Sequence, residues 1–263
     1  MRSRASIVLL ATGLALLTGC SKHRASDSQL AVAAAADLTA AFTELGDAFA
    51  ARTGVHPSFT FGSTGLLTKQ LEQGAPFDVF AAANVSYADE AVNSGACDGA
   101  TKAMYARGRI VVWWRKGATV TPPTVLSELG DPRFVHVAIA NPDHAPYGHA
   151  AKEALGRAGV LDAVTPKLVY GENVQQALQS ASTGNADVAI VAFSLAIRNE
   201  NGAYLAIDPS MHAPIDQAMV VCRNGKNAAL GKQFSEFVGS PSGRAVMQRY
   251  GFLLPGETVA AAP

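Results

Sequence analysis

Four places in this 263-residue chain put small, polar or hydroxyl-bearing residues where an apolar run gives way to a helix-like pattern. They are Ala36 with Asp37, Ser63 with Thr64, Pro146 with Tyr147 and Gly148, and Asn173 with Val174. A junction of this kind frees backbone N–H groups at the positive end of a helix dipole, which suits an oxyanion without any lysine or arginine. The hydroxyls of Ser63 and Thr64 add donors, and Gly62 and Gly65 let the backbone come close. Any α/β protein has such caps, so the spacing alone names no anion. Catalysis finds less support, because the chain has no G-x-S-x-G elbow, no G-x-x-x-x-G-K loop and no H-E-x-x-H helix. A secreted hydrolase using Ser63 or Ser194 with a histidine is a remote alternative that lacks a visible base and orienter. The 6 histidines are scattered, and the closest pair, His144 and His149, has no third ligand nearby, so no metal cation site is expected.

The elements that would hold these junctions alternate. Residues 30–35 form a short apolar run, and Leu38, Ala41, Phe42, Leu45, Ala48 and Phe49 follow at helical spacing, with Asp37 placed to cap the helix. Residues 56–61 read as a strand, and the turn at 62–65 leads into a helix stopped by Gly74 and Pro76. A third strand at 77–80 and a helix near 87–93 complete one series. After a loop, a second series begins with an apolar strand at 109–114. Strands at 135–140, 167–170 and 186–192 then alternate with helices at 150–158 and 174–181. A strand at 219–222 precedes two C-terminal helices, 228–238 and 241–250. This is an α/β pattern with largely parallel sheets in two lobes.

Arg2 and Arg4, an apolar run over 5–19 and then Cys20 have the order of a secretory signal, and Leu17, Thr18, Gly19 and Cys20 resemble a lipobox whose cysteine is acylated. The expected products are a signal peptide at 1–19, a polar tether at 20–28 and an extracytoplasmic, periplasmic or cell-surface location through the lipid on Cys20. Lysine plus arginine balances aspartate plus glutamate at 21 each, and only 16% of residues are charged, which argues against nucleic-acid binding. Cys97 and Cys222 remain as a pair that an oxidising compartment allows to join; two separate buried thiols would look the same in sequence.

The segments AVAAAADLTAAF at 31–42, FGSTGLLTKQLEQGAPFDVFAAA at 61–83 and NPDHAPYGHAAKEAL at 141–155 resemble the molybdate-binding family of ABC importers. So do YGENVQQAL at 170–178 and MQRYGF at 247–252, which extends the match over essentially the whole mature chain. The resemblance implies a non-enzymatic binding protein of the type II periplasmic fold, whose two lobes are joined by crossing strands at 109–114 and 218–222. It would place lobe I at 29–108 plus 223–254, lobe II at 109–222 and a disordered tail at 255–263. The ligand would be molybdate or tungstate, with phosphate or sulfate as the alternative. The partners would be a permease and its ATPase, no cofactor is implied, and a monomer is expected.

Carried over by position, the family's anion ligands fall on Asp37, Thr64, the backbone N–H groups of Tyr147 and Val174, and finally Ala192, with Ser63 beside Thr64. Two of these depart from the family's pattern. Ala192 replaces a tyrosine hydroxyl, for which Ser194 is near enough to substitute, and Asp37 stands where a serine is usual. A carboxylate about 4 Å from a dianion would cost about 8 kcal/mol at an effective dielectric of about 20. Asp37 is therefore expected to fold back and cap its own helix. It could instead accept a hydrogen bond from a protonated oxyanion, or be protonated or displaced.

Overall fold

The computed structural model describes residues 29–257. The signal segment, Cys20, the tether up to residue 28 and the tail from residue 258 lie outside the described residues.

The chain begins with β1 (Leu30–Ala35), α1 (Thr39–Thr53), β2 (Pro57–Gly62), α2 (Thr64–Glu72), β3 (Val79–Ala82), α3 (Val85–Asn93) and β4 (Cys97–Gly108). A second run follows with β5 (Ile110–Arg115), β6 (Val137–Ala140), α4 (Pro146–Arg157), the short α5 (Leu161–Val164), β7 (Leu168–Gly171), α6 (Val174–Thr183), β8 (Val188–Ala192), the short α7 (Phe193–Ala196) and β9 (Gly202–Ala206). The chain then returns through β10 (Ile215–Cys222) to α8 (Ala228–Gly239) and α9 (Pro241–Arg249). Gly54 and Gly184 end α1 and α6 at φ 73° and 85°, conformations that cost glycine nothing.

Two five-stranded sheets result, ordered β2-β1-β3-β10-β4 and β7-β6-β8-β5-β9. In each, three parallel strands are followed on one side by a single reversed strand, β10 or β5, and then by an edge strand, β4 or β9, that pairs antiparallel with it. The parallel strands β1, β3, β6 and β8 are almost wholly buried, as strands covered by helices on both faces must be. Phe42, Phe49 and Phe234 meet edge to face between α1 and α8 and anchor the core beside the first sheet.

Two expectations need correction. The stretch before residue 109 is a twelve-residue edge strand, β4, and not a loop; residues 98–104 are exposed or half-buried without alternation, so no apolar pattern marks it. The strand β9 also escaped the sequence reading. Residues 215–222 belong to the first sheet, because β10 pairs antiparallel between β3 and β4, and not to the second lobe. The chain therefore changes sheets at Gly108 and Arg109 and returns between Ala206 and Ile215. At the start of the expected tail, Glu257 donates its N–H to the Leu254 carbonyl and accepts from Gln248, and residues 258–263 lie outside the described residues.

The first crossing is pinned by the C-terminal segment. Arg107 exchanges backbone hydrogen bonds with Leu253 at 2.7 and 3.0 Å. The Arg109 guanidinium donates to the Gly251 carbonyl at 2.9 and 2.6 Å and lies 4.4 Å from the ring centre of Phe193. Cys97 and Cys222, opposite each other on β4 and β10, are joined as a disulfide.

Candidate functional site

All four junctions line one small cavity between the two sheets. From the first sheet come Ala36 and Asp37 at the end of β1, and Ser63 and Thr64 at the start of α2. Tyr147 in the first turn of α4 and Val174 at the start of α6 come from the second. Thr64 and Val174 are the first residues of their helices and Tyr147 the second, so their N–H groups have no intrahelical acceptor. None of the three is bonded to another acceptor among the described residues. Pro146 opens α4, where its lack of an N–H costs nothing. A Cβ on Gly148 would lie 2.1 Å from the Ala140 carbonyl, so only glycine lets the first turn of α4 sit on the end of β6.

Thr64 is buried, and its Oγ1 accepts the Ala83 N–H at 3.3 Å, which leaves the hydroxyl proton for another acceptor. Ser63 is committed elsewhere: its hydroxyl donates to the His144 carbonyl at 2.7 Å and lies 2.8 Å from His144 Nδ1. The Gly65 N–H also donates to that carbonyl at 2.9 Å. These bonds hold α2 against the loop before α4, and a Cβ on Gly65 would lie 2.9 Å from the same oxygen. Ala192 is fully buried and does not line the cavity, while Ser194 donates to the Asp37 carbonyl at 2.8 Å and so does not replace the missing tyrosine.

Asp37 does not cap a helix. It sits inside a single 3-10 turn, Ala36–Leu38, whose N-cap is Ala35, so its side chain is past the position from which a cap reaches back. Its Oδ2 accepts from the Tyr147 hydroxyl at 2.8 Å and from Gln217 Nε2 at 2.7 Å. Gln217 Nε2 also donates to the Tyr147 oxygen at 2.9 Å, and its Oε1 accepts from the Tyr105 hydroxyl at 2.7 Å. Oδ1 is buried without a partner. Burial pushes the Asp37 carboxyl up from 3.8 to about 6, against the lowering effect of the hydrogen bonds from Gln217, Tyr147 and its own backbone. Burial and the neighbouring Asp37 hold the Tyr147 and Tyr105 phenols well above their ordinary range, so both remain donors.

Gln217 and Tyr105 were missed in the sequence. The signal for Gln217 was a lone amide at the head of the apolar run 218–222; Tyr105 lay in the strand read as a loop. No lysine, arginine or histidine lines the cavity. Among the described residues no group of three metal-ligating side chains forms, and no helix is long and apolar enough to cross a membrane.

Two mixed α/β units joined by strand crossings, with helix N-termini from both converging on one cavity, define a solute-binding protein of the two-lobed type. The comparisons agree. Residues 30–253 match the family model described as bacterial extracellular solute-binding protein. The molybdate-binding protein ModA of Rhodobacter capsulatus is 35% identical over 243 residues, which cover 92% of this chain and 95% of that protein. A putative ABC transporter substrate-binding lipoprotein of Bacillus subtilis, YvgL, is 28% identical, covering 92% of this chain and 94% of its own length. The periplasmic molybdate-binding protein of Azotobacter vinelandii superposes with a TM-score of 0.80 at 28% identity, covering 86% of this chain and 99% of that structure. The chain belongs to the molybdate-binding family of bacterial extracellular solute-binding proteins.

Proposed function

We propose that this protein captures molybdate, and tungstate as its near twin in charge and size, outside the cytoplasm and hands it unchanged to an ABC importer. The observation that carries the reading is the convergence of unpaired N–H groups of Thr64, Tyr147 and Val174 on a cavity without a cation. The Thr64 hydroxyl adds a fourth donor. Ser63 serves the site by holding it shut against His144. Because α2 belongs to one unit and α4 and α6 to the other, full coordination is available only when the two are together. The resemblance to the Rhodobacter and Azotobacter proteins, whose names state molybdate, supports this anion over sulfate or phosphate.

Acylation of Cys20 belongs to the same proposal, supported by its place behind the signal-like run and by likeness to a protein named a lipoprotein. Labelling cells with a palmitate analogue should mark the wild type and not Cys20→Ser. The protein acts as a monomer, which light scattering tests.

The Ser63 and His144 contact also brings a hydroxyl to an imidazole, as a hydrolase would. No carboxylate orients the other ring nitrogen of His144 among the described residues, and the hydroxyl proton already has the backbone carbonyl. Thermal unfolding with molybdate, tungstate, sulfate and phosphate at neutral pH tests the main reading. A ligand at about a thousandfold its dissociation constant should add about 4 kcal/mol, or roughly 8 to 16 °C. Shifts with molybdate and tungstate alone are expected; a shift with phosphate or sulfate alone would reassign the ligand.

A further inference from the structure

In the network around Asp37 every hydrogen has a place. Tyr105 donates to Gln217 Oε1, the two amide hydrogens of Gln217 go to Tyr147 Oη and Asp37 Oδ2, and Tyr147 donates to the same Oδ2. The donors converge on one carboxyl oxygen and leave the other, Oδ1, buried with none. Asp37 also lines the cavity proposed to hold the anion.

The oxygens of a fully ionised oxyanion only accept hydrogen bonds, and so does a carboxylate. Placed together in a cavity that no lysine, arginine or histidine lines, the two repel, and an orphaned buried oxygen stays unsatisfied. A single proton on Oδ1 reverses both effects: it neutralises the carboxyl and supplies a donor on a residue that lines the cavity. We propose that capture of the oxyanion is coupled to uptake of one proton, carried on Asp37 Oδ1 and donated as a hydrogen bond to an oxygen of the ligand. The inference rests on the oxyanion-binding reading above. The proton comes from solvent and returns to solvent on release, and no bond within the anion forms or breaks.

The groups facing Asp37 cannot take over this role. Tyr147 from α4 and Tyr105 from β4 are already protonated and are held so; Gln217 from β10, Ser194 from α7, Ser63 and Thr64 from α2 and Asn173 before α6 do not titrate. His144 faces Ser63, and the Arg109 guanidinium is turned onto the Gly251 carbonyl. The upward displacement of the Asp37 carboxyl by burial, before any dianion arrives, points the same way.

Calorimetric titration of the mature chain with molybdate from about pH 5.5 to about pH 8.5 tests the coupling. The dissociation constant should rise about tenfold per pH unit in the upper part of this range. Heats in two buffers of different ionisation enthalpy should give about one proton taken up per anion near pH 8, a result that needs no variant. Asp37→Asn, whose amide donates at every pH, should bind with a flat profile and more tightly than wild type at the alkaline end. A flat wild-type profile with no proton uptake would overturn the coupling while leaving the molybdate reading standing. The same slope in Asp37→Asn would overturn Asp37 as the carrier, and no binding of any oxyanion at any pH would remove the functional reading and this inference together.

Discussion

At Asn173 the side chain caps α6, its Oδ1 accepting from the N–H groups of Gln175 and Gln176 at 3.0 and 3.1 Å, and the N–H of Val174 is left facing the cavity. At Asp37 a residue of nearly the same shape follows the buried strand β1, yet its carboxyl turns away from the backbone and into a network with Tyr147 and Gln217. The difference is one of register. Asn173 occupies the N-cap of its helix, whereas Asp37 is already within a turn capped by Ala35. An Asx residue after a strand is thus a cap only where the helix begins immediately after it, and one turn of 3-10 geometry converts it into a buried polar group that needs other partners.

The hardest test of this contrast is Gly108→Ala. Its Cβ would lie 2.1 Å from the Tyr147 hydroxyl and 3.1 Å from Gln217 Nε2, which disrupts the Asp37 network and leaves the Asn173 cap untouched. Overpacking and lost hydrogen bonds should together cost about 4 kcal/mol of affinity, near a thousandfold. Molybdate titration reads it, and retained affinity would mean that the site does not need the network.

Ionisation supplies the next largest effect. The Asp37 carboxyl in the structure titrates at about 6, above its ordinary 3.8, so its stabilising contribution is complete below 3.8 and is lost as pH rises through about 6. The gap corresponds to about 3 kcal/mol. In the ligand-free protein the advantage of Asp37→Asn over wild type, measured by thermal unfolding, should therefore grow by about that amount from about pH 4 to about pH 7 and then level off. A difference that does not change with pH would place the carboxyl in water.

Thr64→Ala should weaken molybdate binding by about 2 kcal/mol through loss of a buried donor, with a smaller change in melting temperature. Unchanged affinity would remove Thr64 from the site. Asn173→Ala should cost about 1 kcal/mol of stability, the usual worth of a cap, and its effect on affinity should be the weakest of the four. A larger loss of affinity than of stability would show that Asn173 touches the anion directly.

The two kinds of junction also explain what was legible in the sequence. The α/β alternation and the four strand-to-helix junctions could be read because apolar periodicity, Gly62, Gly65, Gly148 and Pro146 report local geometry, and local geometry is all that a cap needs. The orientation of Asp37 could not, since it depends on Tyr147 and Gln217, which are 110 and 180 residues away in the chain. The placement of β10 failed for a similar reason: its apolar run tells of burial and is silent on which of two sheets it enters. The edge strand β4 was hidden because residues 98–104 are exposed or half-buried one after another, and such a stretch looks like a loop when the partner strand is unknown.

The absence of any lysine, arginine or histidine around the cavity has a consequence in time as well as in affinity. An anion held by dipoles alone has no ion pair to break on leaving, and each half of the site keeps only part of the donor set. On the proposed function, parting of the two units would let water replace the remaining contacts, and the residence time of the anion would be the waiting time for that separation. The dissociation rate would then be a clock wound by contacts that do not touch the ligand, above all the Gly65 N–H and the Ser63 hydroxyl on the His144 carbonyl.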